Sequence, residues 1–263
     1  MFDKYRFNGC FQLLFDGTGL SNYDYNLNNN CLIRKHKDGK ISYYKYVLEC
    51  KLVVGNIVIS LDSEFIENKK MLTEKQKQDC ETNAFKRMIK RIKKNYPKYK
   101  FIITGDGLYA TSPIIKLCKK YNWYYIFNLK PDRLKEINET FEDNINYKNE
   151  TTLKDYYLSI NIEYKGNILS AFKFIETKKK NTTFRYISNL CVKNSNIKEI
   201  ISIWWKRWKI ENEGFYNQKH RTLMFFEIIT FFNFFNLTCK MVFLWCYKNY
   251  NFWEEKIDKF NFY

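Results

Sequence analysis

Phe101-Ile102-Ile103-Thr104-Gly105-Asp106-Gly107-Leu108-Tyr109-Ala110 is a short apolar run that ends on an aspartate held between two glycines. A run of this length, rich in aromatic and β-branched residues and bounded by glycine, reads as a buried strand. Strands of α/β sheets present their chemistry at the carboxyl end, and glycines there let a ligand approach the backbone closely. An earlier stretch has the same form, an apolar strand from Phe11 that runs into Asp16-Gly17-Thr18-Gly19. Two aspartates at strand ends make a carboxylate site the first expectation.

Around these strands the chain predicts an α/β fold. After a polar loop from Ser21 to Asn30, the β-prone runs Ile41–Val54 and Ile57–Phe65 flank Gly55-Asn56, a hairpin signal. Three antiparallel strands therefore open the fold. Lys75 to Asn95 carries Phe85, Met88, Ile89, Ile92 and Tyr96 at helical spacing and stops before Pro97. The Asp106 strand is followed by a helix over Ser112–Tyr121 and a strand over Trp123–Leu129, an order that implies a parallel pair and a mixed sheet of about five strands. Residues 1–130 are thus the first part of a catalytic core. Residues 131–196 read as a β-rich insertion, with strands in Tyr156–Tyr164, Ile168–Glu176 and Phe184–Leu190. A second clear helix, Ile197 to Gln218, lies in a segment 197–221 that completes the core, and 222–263 is an aromatic, helical carboxyl-terminal segment.

The formal net charge is +17 over 263 residues. Self-repulsion on that scale points to a polyanionic partner, and nucleic acid is the usual one. Lys86, Arg87, Lys90 and Arg91 crowd the outer face of the first helix and are candidate DNA contacts, with a merely solvated face as the alternative. The eight cysteines form no CxxC pair and read as reduced core thiols of a cytoplasmic protein. Cys31 and His36 have no second half with which to bind zinc, and with His220 the only other histidine, catalysis must use carboxylates. The amino terminus has no apolar signal core. Leu223 to Tyr247 is interrupted by Glu227, Asn233, Asn236 and Lys240, so a buried helix is expected there and no membrane span.

A third acid is available on the second helix. Ile200, Ile201, Trp204, Trp208 and Phe215 form its stripe, and Glu211 falls on that stripe with Arg207 one turn before it. A carboxylate on an apolar face is either paired, here with Arg207 at the i, i+4 spacing, or binds metal. Asp16, Asp106 and Glu211 would offer oxygen ligands only, a set suited to two Mg²⁺ or Mn²⁺ ions. Such ions promote in-line phosphoryl transfer on a phosphodiester backbone.

These residues also carry a resemblance. Phe15-Asp16-Gly17-Thr18-Gly19, Lys77-Gln78-Asp79-Cys80-Glu81 with Ala84-Phe85, Gly105-Asp106-Gly107-Leu108-Tyr109-Ala110 and Arg207 to Phe215 resemble the catalytic core of bacterial insertion-sequence transposases of the DDE type. The resemblance spans about residues 10–220, and within it the group with a ribonuclease H-like core interrupted by a β-rich insertion. It implies a ribonuclease H-like mixed sheet flanked by helices, with Asp16, Asp106 and Glu211 as the catalytic triad binding two divalent ions. It also implies strand transfer on double-stranded DNA by a homodimer, with Arg207 and Lys219 at phosphate. Trp204 stands where the family has tyrosine and Gln218 where it often has lysine, with Lys219 one place later. With the first aspartate already at residue 16, a truncated copy is expected. The alternatives are a catalytically silent DNA-binding remnant and a free-standing nuclease of the same fold.

Overall fold

The computed structural model describes residues 2–26, 30–68, 78–149, 154–176 and 182–209. All of these belong to one compact unit, Met1–Asn217. Glu211, Gln218, Lys219, the run Leu223 to Tyr247 and the whole of 222–263 lie outside the described residues.

The fold opens with β1 (Phe11–Tyr23), β2 (Leu32–Lys35), β3 (Ile41–Val54) and β4 (Ile57–Ile66), then α1 (Glu81–Asn95), β5 (Phe101–Gly105), α2 (Ser112–Tyr121) and β6 (Tyr124–Asn128). It continues with α3 (Lys135–Asp143), β7 (Tyr147–Asn149), β8 (Lys154–Tyr164), β9 (Asn167–Glu176), β10 (Thr182–Ser188) and α4 (Ile197–Trp205). Among the described residues the strands form one mixed sheet in the order β2-β3-β1-β5-β6-β10-β9-β8-β7, with β4 also on β3. As the sequence predicts, β1, β3 and β4 pair antiparallel, and β5 and β6 pair parallel. β5 is also parallel to β1.

The strands of 131–196 continue this sheet. β10 pairs antiparallel with β6, and β9, β8 and β7 follow outward. Without β10 the ladder of β6 would end in a row of unpaired backbone groups, the usual liability of an edge. Lys165 and Gly166 both take positive φ, 49° and 74°, between the paired residues Tyr164 and Asn167. That is the two-residue turn whose twist suits a hairpin, and glycine accommodates its second position. α3 escapes the sequence because its buried pair, Ile137 and Phe141, is set among asparagine and glutamate.

Helices cover both faces. α1 packs Phe85 edge-on against Phe15, ring centres 4.7 Å apart. α3 reaches the same face through Glu142, which pairs with Lys173 and Arg185. On the opposite face α4 buries Ile200, Ile203 and Trp204 against Ile102, Ile126, Phe172 and Tyr186, with Trp204 and Tyr186 ring centres 4.7 Å apart. Burying such side chains stabilises the fold by about 1.5–3 kcal/mol each. No helix among the described residues is long and apolar enough to cross a membrane.

Three boundaries differ from expectation, the first being α4, which closes at Trp205 with a turn at Lys206 and Arg207 where one helix from Ile197 to Gln218 was expected. β1 does not stop at its aspartate but runs on to Tyr23, because β3 is long enough to pair with it as far as Tyr43. Asp16 therefore lies within a strand. α1 begins at Glu81, not Lys75: Gln78 is held outside the helix by its amide, which accepts from Ile33 N (2.6 Å) and donates to Ile33 O (2.7 Å). This side chain acts as a one-residue strand partner for β2.

Two cations of the α1 face are committed to the fold. Arg87 pairs with Glu64 and Asp79, and Arg91 with Asp62 and Glu64. Burial opposes the ionisation of Asp79, but the hydrogen bonds from Arg87 and from backbone Cys80 outweigh it and hold the carboxyl below its ordinary value. A depressed carboxyl contributes stability above its unfolded pKa and loses it as the pH falls through the folded value. Asp79→Asn is therefore expected to lower the melting temperature at neutral pH, with the deficit shrinking below about pH 4. Arg91→Ala, which strands Asp62, is expected to cost about 2 kcal/mol in denaturant titration.

Candidate functional site

The register of the central strands sets the site. The parallel ladder between β1 and β5 ends at the pair Leu14 and Thr104. Asp16 and Asp106 each stand two residues further on, Asp106 just past the end of β5 and Asp16 within β1 where its pairing with β5 has stopped, on strands roughly 4.8 Å apart. Asp106 is fixed by a turn in which its Oδ1 accepts from Leu108 N at 2.7 Å and its carbonyl from Tyr109 N at 3.2 Å. Asp16 faces the end of α4, where Arg207, in the turn just past the helix, donates from Nη1 to its Oδ2 at 3.2 Å. Gln12, on the same face, bridges Thr104 and the Ile203 carbonyl, which ties the end of α4 to both strands.

A third carboxylate comes from a residue not assigned a role from the sequence. Glu81, the first residue of α1, accepts a hydrogen bond from the hydroxyl of the fully buried Tyr109. Its placement follows from the segment before it. Gln78 clamps Ile33, Asp79 N donates to Asn68 Oδ1, and Asn68 Nδ2 donates to Cys31 O. The helix thus starts beside β1. Burial raises the Glu81 pKa, and the Asp106 carboxylate adds to that rise, while the Tyr109 hydrogen bond and Arg207 oppose it. From the sequence, Glu81 falls inside the helix expected from Lys75 to Asn95 and in the Lys77–Glu81 segment that carries the resemblance, which gave it no role.

The flanking glycines serve the protein's own side chains. A Cβ at Gly17 would stand 2.5 Å from the Tyr46 ring and 2.7 Å from Glu81 Oε2, and one at Gly105 would stand 2.5 Å from the Tyr109 ring. Glycine is required where Tyr46, Glu81 and Tyr109 close on the strands, so the expectation of a ligand against bare backbone is replaced by a packed aromatic floor. Burial, with Glu81 and Asp16 adding to it, pushes the Tyr46 hydroxyl up to about 12. It therefore stays a proton donor at neutral pH. On the other flank, the Lys130 side chain packs over Gly107 and Arg133 Nη1 donates to Gly107 O at 3.4 Å.

Of the residues expected at the site, the structure brings together Asp16, Asp106 and Arg207. Glu211 and Lys219 lie outside the described residues. Arg87 and Arg91 are engaged on β4, while Lys86 is half-buried and Lys90 exposed on α1. His36 Nε2 contacts Ser42 Oγ at 2.8 Å. Among the described residues no three His, Cys, Asp or Glu side chains converge as a complete metal-ligand set. The carboxylates of Asp16, Glu81 and Asp106 offer oxygen donors only, the chemistry that suits a hard cation.

No protein-family model matches the chain, and no curated protein matches it. Among solved structures it is similar to the NurA nuclease from Sulfolobus solfataricus, at 12% identity and a TM-score of 0.38 over 73% of this chain and 72% of that one. At that distance, function has to be read from the site itself.

A buried acid with a raised pKa costs stability once the pH passes its folded value and costs nothing below its unfolded one. Glu81→Gln keeps an oxygen to accept from Tyr109 and removes the charge. It is expected to raise the melting temperature by about 2–4 °C at neutral pH in the metal-free protein, with the gain vanishing in acid.

Proposed function

We propose that this protein cleaves phosphodiester bonds in DNA with the help of Mg²⁺ or Mn²⁺, at a site built from Asp16, Glu81 and Asp106. The observation that carries the reading is that Glu81, largely buried, lies close enough to Asp106 for that carboxylate to oppose its ionisation, with Asp16 on the neighbouring strand. The chain's +17 charge suits a polyanionic substrate.

Asp16, Glu81 and Asp106 would hold the metal ions, whose bound chemistry would be activation of the nucleophile and neutralisation of the leaving oxygen. Arg207 holds Asp16 in place and lies where a phosphate oxygen would meet it, as a planar donor suited to that geometry. Tyr46 and Tyr109 exclude water from beneath the carboxylates, and the protonated Tyr46 hydroxyl can donate to a phosphate oxygen.

A finer reading is a ribonuclease H-like core of transposase descent that performs strand transfer at insertion-sequence ends as a homodimer. Its support is the sheet core β4-β3-β1-β5-β6 together with the motif resemblance, and Glu211, four residues beyond Arg207, would be the further ligand. Hydrolysis alone is the second reading, favoured because Glu81 supplies a third acid without the carboxyl-terminal region.

Supercoiled plasmid incubated with Mg²⁺ or Mn²⁺ is expected to be nicked by the full chain and at least about 100-fold more slowly by Asp106→Asn. Loss of a mere supporting group around a metal site already costs 10–100-fold. Equal nicking by both proteins would sink the proposal. Joining of a labelled DNA end to the plasmid would distinguish strand transfer from hydrolysis.

A further inference from the structure

On the sheet face that α1 covers, the ribbon of β1 and β3 runs on past the carboxylates. Side chains alternate along a strand, so the pairs Gly17 with Leu48 and Gly19 with Tyr46 place Tyr46 and Tyr44 on this face. The pairs Leu32 with Tyr44 and Arg34 with Ser42 carry the face across β2 to Arg34. Tyr46 stands over Gly17 at the edge of the carboxylate cluster. Tyr44 meets Tyr46 edge-on, ring centres 6.3 Å apart and planes at 88°. The Arg34 guanidinium lies 5.0 Å from the centre of the Tyr44 ring. Both tyrosines are half-buried, Arg34 is exposed, and the β2–β3 turn adds exposed Lys37 and Lys40, the latter 3.8 Å from the turn's one acid, Asp38. A row of ring, ring, guanidinium and lysines thus leads out of the site.

We propose that this row is a track for an unpaired DNA strand, whose bases stack on Tyr44 and Tyr46 and whose phosphates meet Arg34 and the turn lysines. Only the identity of the polymer rests on the cleavage reading above. A π-face is what an unpaired base offers, whereas a duplex keeps its bases stacked on one another. Aromatic platforms set in a basic groove are how proteins hold single strands without reading sequence. The guanidinium stacked on Tyr44 extends the same platform. The site would then act on a strand delivered singly, as at an end, a flap or a melted segment.

The test is fluorescence anisotropy with labelled oligothymidylate and a labelled duplex of equal length, in EDTA so that binding is measured apart from cleavage. The full chain is expected to prefer oligothymidylate. Tyr44→Leu, which keeps apolar bulk but loses the ring, is expected to weaken that binding at least about fivefold, with little change on duplex. Tyr44→Phe should bind like the unaltered protein. Arg34→Gln should lower the slope of log K against log salt by about 0.7 on oligothymidylate, the share of one released phosphate counterion. Unchanged oligothymidylate binding by a Tyr44→Leu protein with native melting would overturn the proposal. So would an equal loss on both probes, or a change of oligomeric state in place of a binding change. A protein that shows the Tyr44-dependent preference but never nicks plasmid would refute the cleavage reading and leave the track standing.

Discussion

Like charges gathered at the end of a sheet repel one another, and much of this structure holds them together. The parallel register of β1 and β5 puts Asp16 and Asp106 each two residues past the ladder's last pair. Gln78, Asn68 and Asp79 then bring the start of α1, and with it Glu81, up to the same edge. Burial and the Asp106 charge both resist ionisation of Glu81, so its position costs stability, as sites selected for function often do. The cost is offset locally by the Tyr109 hydroxyl and by Arg207, and remotely by the apolar packing of α1 and α4.

The positive charge is divided between two tasks. Arg87 and Arg91 face the acids of β4 and fasten α1 to the sheet, which fixes the helix that carries Glu81. Arg207, Lys130 and Arg133 lie around the carboxylates, and Arg34 with the turn lysines lies along the ribbon. A surplus of cations read as one property of the composition therefore separates into structural ion pairs and a border around the carboxylates and the ribbon.

The parts legible in the sequence were those with a local period. The Asp106 strand and α2 follow from contiguous patterns and occur as expected, and α4 follows from its apolar stripe as far as Trp205, short of Arg207. The place of Glu81 was illegible because it is set by side-chain clamps spanning tens of residues, although its segment, Lys77–Glu81, is one of those that carry the resemblance. The glycines beside the aspartates were noticed for a sound reason, close approach, but what approaches is Tyr46, Glu81 and Tyr109. The strands after residue 131 were recognisable one by one. Their membership of the central sheet was not, since it depends on β10 returning to the edge of β6, a pairing that no local signal encodes.

The central claim is that Asp16, Glu81 and Asp106 act as one divalent-cation site. Calorimetric titration of Mn²⁺ into the full chain and into Asp106→Asn tests it most directly. The account predicts saturable binding by the unaltered protein that is lost in the variant, and indistinguishable isotherms for the two would contradict it.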